Sequence, residues 1–360
     1  MAILQREFER LVEPSRFDGK TFDKACEGGR KISEAGLENL REKANDLNKS
    51  ITIDLVDNSA SRNFDITDDF KFVYRTTTGK ERERDITSYA FQQLCTRMGI
   101  PSQYLIKCQE KGKTDLVMEN FKAWSNDYKG TLQIMSNDST NATRAVMTDS
   151  YERYDYSKVL SNIKTVLNLD RWTLVQNYFS EDIMVLRFID TTSPYYTDNA
   201  SKNYVMLTIS TSDVGRGGLK VQLSSYRRVC SNGMIVNNGR DGILYSQPHA
   251  GKDMRDSKVA VFNRAFLKAE NYGSVFANGI ENCRKERLNP KEFEMWIEKA
   301  KRDMRLSKKN VENLTAIINT DYDHSVWGVT NGVTQLAQEF NLDERLNAET
   351  WAGTVFGTRL

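Results

Sequence analysis

Residues 171–190, RWTLVQNYFSEDIMVLRFID, decide the fold class. Two runs of apolar, aromatic and β-branched residues flank a short Ser-Glu connection, a pattern typical of an antiparallel hairpin. Further runs of this type lie on both sides, RAVMT at 144–148 and YVMLTIS at 204–210. Residues 218–236, GLKVQLSSYRRVCSNGMIV, read as one more long strand with Val221 and Leu223 on one face. The middle of the chain is therefore predicted to be rich in strands.

Helical periodicity precedes and follows this block. Leucines recur at helical spacing in EAGLENLREKANDLNK, residues 34–49, and apolar positions 262, 266, 269, 276 and 280 form a later amphipathic pattern. Further helices are predicted at 290–306, 308–319 and 325–340. Since helices and strands are segregated along the chain, we expect an α+β fold, with a mixed or antiparallel sheet as its core and helices before and after it. The predicted divisions are an N-terminal helical arm at 1–60, an α+β core at 61–345 and a C-terminal tail at 346–360.

Two local motifs stand between the arm and the strand-rich block. FKFVYRTTTGKERERDIT, residues 70–87, predicts a hairpin that turns at TTTGK. SYAFQQLCTRMGIPSQYLIKC, residues 88–108, predicts two helices separated at Gly-Ile-Pro.

Composition narrows the functional classes. The 360 residues carry a net charge of +2, and no run of about 18 apolar residues predicts a membrane helix. The five cysteines are widely spaced without a CxxC pair, so a reducing cytoplasm is expected. Only two histidines, His249 and His324, are present, which disfavours metal and acid/base chemistry. We therefore expect no cofactor, and enzymatic activity is the less favoured class.

A local concentration of positive charge lies within residues 214–240, which contain no aspartate or glutamate. Guanidinium and ammonium groups bind phosphates, and tyrosine rings can stack on unpaired bases. This segment therefore predicts a site for single-stranded nucleic acid, although alternation along a strand could also place its basic residues on opposite, merely solvated faces. The predicted contact residues are Arg216, Lys220, Tyr226, Arg227, Arg228, Arg240 and Tyr245.

Two other clusters invite chemical interpretations. Cys230 would need His249 or His324 as a base to act as a nucleophile, and a structural role at a strand end, followed by a turn at Asn232 and Gly233, is favoured. DYDH at 321–324 has potential ligands for a divalent cation, but Asp and Ser before an apolar helical run more often start a helix.

Trp327 and Asn331 lie four residues apart, and so share a face of the predicted helix at 325–340. We expect Trp327 to be buried and Asn331 to satisfy a neighbouring backbone group. The lysines and arginines of residues 284–310 alternate with acids, which is typical of a solvent-facing surface.

Four segments together resemble the phage- and plasmid-encoded proteins that are grouped as one large domain of unknown function. They are TSYAFQQLCTRMGIPSQYL, RAVMTDSYERYDYSKVL, SYRRVCSNGMIV and HSVWGVTNGVTQLAQ, and the resemblance runs from about residue 85 to 340. It implies an origin in a mobile element and names no reaction. The residues that carry the motifs are Cys230, Asn232, Gly233, Trp327 and Asn331.

The leading hypothesis is a phage or mobile-element protein of the bacterial cytoplasm that binds single-stranded DNA as a homo-oligomer. No association with a membrane is expected. Replication, annealing recombination or protection of the element would be its role. One alternative is a virion-associated or anti-defence interaction protein that works through its N-terminal arm and tyrosine-rich surface. Another is a hydrolase that uses Cys230, or a metal held by Asp321, Asp323 and His324.

Overall fold

The computed structural model of the protein describes residues 10–12, 19–192, 194–196, 202–227, 232–235, 243–247, 258–269 and 272–358. For residues 10–12, 19–26, 195, 196, 202, 227, 232–235, 243, 247 and 258–261 it describes the backbone alone. The described part contains helices and two sheets, so the predicted α+β class is confirmed.

The strands are numbered along the chain. They are β1 Arg10–Val12, β2 Ile51–Asp57, β3 Phe64–Ile66, β4 Phe72–Arg75, β5 Glu81–Ile86, β6 Thr131–Asn137, β7 Ala142–Thr148, β8 Trp172–Ser180, β9 Met184–Asp190, β10 Tyr195–Tyr196, β11 Lys202–Thr211, β12 Leu219–Arg227, β13 Asn232–Ile235 and β14 Ile243–Gln247. The helices are α1 Gly19–Lys49, α2 Ser88–Met98, α3 Ser102–Glu110, α4 Thr114–Asp127, α5 Tyr156–Val166, α6 Lys258–Ala269, α7 Gly273–Lys285, α8 Pro290–Met304, α9 Lys308–Asp321, α10 Val326–Leu336 and α11 Leu342–Gly357. Among the described helices, none is both long and apolar enough to cross a bilayer.

The first sheet has the strand order β2-β6-β7-β5-β4-β3 and is mixed, because β5 and β7 run parallel. The hairpin predicted at 70–87 is confirmed as β4 and β5. The predicted pair of helices is confirmed as α2 and α3. Thr87 caps α2 by accepting a hydrogen bond from the Ala90 amide, and Gly99 ends it with a φ of 75°. Phe91 and Phe121 join the core beneath this sheet.

The second sheet is antiparallel, with the strand order β1-β8-β9-β11-β12-β13. Strand β10 also pairs with β11, and β14 with β12. The hairpin predicted at 171–190 is confirmed as β8 and β9. The long strand predicted at 218–236 is instead two strands, because β13 returns antiparallel to the end of β12. One face of this sheet packs on α1, α5 and α6.

Described residues of the predicted arm and tail contribute to the core. Leu37, Leu40 and Ala44 of α1 are buried in the main core, and β2 belongs to the first sheet. The segment from Leu37 to Asp57 is therefore integrated into the fold. The segment 346–360, predicted as a tail, falls largely within α11, which buries Ala352 and Phe356 in the same core.

The helices that follow the second sheet confirm the predictions at 290–306, 308–319 and 325–340. Asn289 and Glu292 form a capping box at the start of α8. Helix α10 is almost entirely buried between its neighbours. Gly328 permits this packing, because a Cβ at this position would lie 1.9 Å from the Asp323 carbonyl oxygen.

Buried ion pairs join the two sheets. Arg144 of β7 is fully buried, and its Nη2 lies 3.2 Å from Oδ1 of Asp213, in the turn between β11 and β12. Its Nε lies 3.6 Å from Oε2 of Glu181, in the β8–β9 turn. Arg153 donates to the other oxygen of Asp213 at 2.8 Å. These contacts fix the ends of the hairpins in the second sheet against the first sheet.

Candidate nucleic-acid interface

The face of the second sheet opposite α1, α5 and α6 carries two rows of mostly polar side chains, of which Arg187 and Thr208 are buried. Side chains paired directly across neighbouring strands project to the same face. Arg187 is paired with Gln176 on one side and with Thr208 on the other, and Thr208 is paired with Gln222. The next row contains Tyr178, Val185, Ser210 and Lys220. We call the polar members of the two rows the polar strip: Gln176, Tyr178, Arg187, Thr208, Ser210, Lys220 and Gln222.

Helix α11 packs on the end of the polar strip formed by Gln176 and Arg187, where three charged side chains meet. Arg187 Nη1 donates to Gln176 Oε1 at 3.0 Å and to Glu349 Oε1 at 3.2 Å. Arg345 Nε also donates to Glu349 Oε1, at 2.9 Å. Glu349 is completely buried, and Arg187 is 4% exposed. Two guanidinium groups thus share one carboxylate, which leaves a local charge of +1.

A pocket of about 190 Å³ opens between these charges and the start of α11; we call it the arginine pocket. Three atoms of residues that line this pocket, Arg187 Nε, Arg345 Nη2 and Asn177 Oδ1, are buried without hydrogen-bond partners. Burial lowers the pKa of Arg187, and the neighbouring Arg345 lowers it further, against the opposing effect of Glu349. The lining includes Gln176, Asn177, Tyr178, Arg187, Phe340 and Arg345.

The predicted contact residues Lys220 and Arg216 have different environments. Lys220 is exposed at the outer end of the polar strip, and no ion pair joins it to another described residue. Arg216 follows the β11 strand in the turn, where it forms ion pairs with Asp182 and Asp343. A phosphate would have to compete with these two carboxylates for Arg216, whereas Lys220 is accessible.

The structure corrects the prediction for Tyr226. This residue is 1% exposed, and it packs in a cluster with Val175, Ile189, Tyr204 and Met206. This packing covers the Tyr226 ring, so Tyr226 offers no surface for a base to stack on.

The other predicted contacts are only partly described. Tyr245 is half-buried and packs against the main core, which raises its pKa by desolvation. Arg227 ends β12, where the backbone alone is described. Arg228 and Arg240 lie outside the described residues.

The two family motifs meet in space. Asn232 and Gly233 begin β13, which contacts α11 and also α10, the helix that carries Trp327 and Asn331. The turn expected at Asn232 and Gly233 is therefore a strand, paired with the end of β12. Cys230 lies outside the described residues. The prediction for α10 is confirmed: Trp327 is buried, and Asn331 Nδ2 donates to the Trp327 carbonyl oxygen at 2.8 Å.

The DYDH segment connects α9 to α10, and the helix start that was favoured after it is confirmed. Ser325 caps α10 by accepting a hydrogen bond from the Gly328 amide at 3.1 Å, and Asp323 forms an ion pair with Arg287. The His324 ring stacks on Phe293 with centroids 4.2 Å apart. Within the described ranges, no group of three or more histidine, cysteine, aspartate or glutamate side chains could hold a metal ion.

A protein family described as a domain of unknown function, DUF932, matches residues 143–358. The chain belongs to this family. The match begins in β7 and covers the second sheet from β8 onward, together with the helices that follow, so most of the first sheet lies outside it. The resemblance was expected to begin near residue 85, but the segment at 87–105 precedes the DUF932 match. No curated protein and no solved structure matches the chain.

Sequence reasoning missed Arg187, Arg345 and Glu349. The signal for Arg187 was present, because an arginine in the otherwise apolar run MVLRFI of a hairpin strand must find a buried partner. The signal for its partner was absent, since Glu349 lies 162 residues further along the chain.

Proposed function

We propose that this DUF932 protein binds single-stranded nucleic acid along the polar strip. The observation that carries the proposal is the accessible part of the strip, in which the half-buried Gln176, Tyr178, Ser210 and Gln222 and the exposed Lys220 lie around the buried Arg187 and Thr208. It crosses four strands, or about 14 Å at about 4.8 Å per strand spacing. That length corresponds to about four stacked nucleotides at about 3.4 Å each.

The chemistry of the polar strip suits a nucleic-acid backbone. Amides and hydroxyls, such as those of Gln222 and Ser210, hydrogen-bond to phosphate and sugar oxygens, and Lys220 supplies a charge. Tyr178 is half-buried in the strip, and we assign to it the stacking role that was predicted for Tyr226. Arg227 ends the same strand that carries Lys220, but alternation along β12 places it on the opposite face of the sheet, so we do not assign it to the strip.

The biological setting in this proposal follows from the resemblance to phage and plasmid proteins. We place the protein in the cytoplasm of a bacterial host, as homo-oligomers that follow single-stranded DNA during replication, annealing recombination or protection of a mobile element. The alternative of an interaction protein relies on the N-terminal arm and the tyrosine-rich surface; the part of the arm from Leu37 to Leu47 packs in the main core.

Fluorescence anisotropy with a labelled single-stranded oligonucleotide, measured across a salt series, tests the proposal. We expect binding that weakens with salt and is tighter than binding to a duplex of the same length. Lys220→Gln should reduce the slope of log K against log salt by about 0.7 if it removes one phosphate contact. Lys291→Gln, at an exposed position of α8, is the control and should leave the slope unchanged. Absence of binding at low salt would refute the proposed function.

A further inference from the structure

We propose that the arginine pocket binds a phosphate group, and that its ligand in the protein's function is the terminal phosphate of a nucleic-acid strand. The choice of a strand end rests on the function proposed above. The capacity to bind phosphate stands on the pocket's own geometry.

The first argument is electrostatic. Arg187 and Arg345 share the single carboxylate of Glu349, and Arg187 and Glu349 are at least nine-tenths buried. The Arg345 side chain is 16% exposed, so the excess positive charge is largely buried, and such a charge is costly unless an anion offsets it. The ion pair of Arg187 with Glu349 alone would be neutral, so Arg345 is what gives the pocket its excess charge.

The second argument concerns unused hydrogen-bond donors. Arg187 Nε and Arg345 Nη2 are buried without partners, although buried polar atoms are normally satisfied. Both belong to residues that line the pocket, and a phosphate has several acceptor oxygens for such donors. The unpartnered Asn177 Oδ1 is compatible with this ligand, because it can accept from a protonated phosphate, or its amide can turn to donate.

The third argument is the remaining lining. Asn341 and Leu342, where the 16-residue helix α11 begins, border the pocket, and the start of a helix favours anions. Two acids lie in that first turn, Asp343 and Glu344, and Asp343 is paired with Arg216. Tyr178 and Phe340 supply aromatic surface for the nucleoside that carries the phosphate.

A purely structural role would require fewer groups. The ion pair between Arg187 and Glu349 is sufficient to fasten α11 to the sheet. Arg345 lies on the same helix as Glu349, one turn before it, so its ion pair holds no additional element in place. A bound anion would explain why Arg345 is present in addition to Arg187, and why its Nη2 has no partner within the protein.

Two substitutions with opposite expected effects test phosphate binding in the full-length protein. Isothermal titration with inorganic phosphate, at constant ionic strength set with chloride, should detect saturable binding. Arg345→Gln removes the excess charge while preserving the pair of Arg187 with Glu349, and should weaken binding by about 10- to 100-fold. Glu349→Gln raises the local charge to about +2 by removing the shared carboxylate and should tighten binding. Arg302→Gln, at an exposed position of α8, should have no effect.

If the substitutions merely unfolded the protein, both Arg345→Gln and Glu349→Gln would weaken phosphate binding. Tighter binding by Glu349→Gln would therefore show that the effect of Arg345→Gln arises from charge and not from loss of folding. Thermal unfolding with and without phosphate provides a second measurement, because a ligand of the native state raises Tm. Equal affinities of the wild type and Arg345→Gln, or an effect of phosphate no larger than that of chloride, would overturn the assignment.

Oligonucleotides that differ only at the terminus test the strand-end ligand. We expect the wild type to bind a 5′- or 3′-phosphorylated single strand more tightly than the same strand with hydroxyl ends, and Arg345→Gln to lose that preference. Phosphate binding without any binding of oligonucleotides would refute the proposed function and leave the phosphate site intact. Oligonucleotide binding without phosphate binding would refute the phosphate site and leave the proposed function intact.

Discussion

Replacing Arg144 by methionine should destabilise the protein, because it leaves two buried carboxylates with one cation fewer. In the wild type, the fully buried guanidinium lies 3.2 Å from Asp213 and 3.6 Å from Glu181. Methionine is similarly long and apolar, so the cavity left behind is small. Removal of one member of a buried ion pair costs about 3–5 kcal/mol.

The expected cost lies at the lower end of this range. Asp213 keeps the ion pair with Arg153 at 2.8 Å, and Glu181 still accepts a hydrogen bond from Asn137 at 2.5 Å. We therefore expect the free energy of unfolding to fall by about 3 kcal/mol. An unfolding entropy of about 2.1 cal/mol/K per residue amounts to about 0.76 kcal/mol/K for the 360 residues. The corresponding decrease in Tm is about 4 °C for a cooperative transition.

Urea unfolding followed by circular dichroism measures this cost, and a second arginine provides the control. Arg302→Met removes an exposed partner of Asp303 and should cost less than about 1 kcal/mol. Combining Arg144→Met with Asp213→Asn should cost less than the sum of the single changes by about 0.5–3 kcal/mol, because the two side chains interact directly. A cost for Arg144→Met no greater than that for Arg302→Met would refute the reasoning.

Three further predictions concern local features. Asp155→Ala should lower the free energy of unfolding by about 1 kcal/mol at pH 7, because Asp155 caps the start of α5. Burial raises the Asp155 pKa, but hydrogen bonds from Ser157 and Lys158 lower it overall, so the charged cap stabilises the fold above the unfolded pKa of about 3.9. The cost of the substitution, measured by urea unfolding, should therefore be smaller at pH 3 than at pH 7. Gly328→Ala should cost about 1–3 kcal/mol by overpacking, whereas Gly217→Ala, with open space around its Cβ position, should cost little in the same assay. Burial raises the pKa of Cys95 to about 12, so mass spectrometry should find this thiol unmodified by iodoacetamide at pH 8 until urea unfolds the protein.

Local patterns determined most of the secondary structure. Hairpins, helix starts and the buried pair of Trp327 and Asn331 depend on residues within about 20 positions of one another, so spacing and capping residues are sufficient to predict them. The α+β class follows from the same patterns, because segregated blocks of strands and helices restrict the arrangement of layers.

The partners of each charge and the coverage of each face were decided by the tertiary structure. Alternation along β12 separates its two faces, but only the packing of the sheet buries Tyr226 and leaves Lys220 exposed. Arg216 meets acids that lie 34 and 127 residues away. The arginine pocket likewise joins two strands to the start of α11, more than 150 residues further along the sequence. The sequence by itself determined the helices and strands and the polarity of their faces. The long-range contacts that assemble the candidate site arise only when the sheet and its helices pack, because burial and electrostatic pairing depend on distance in space.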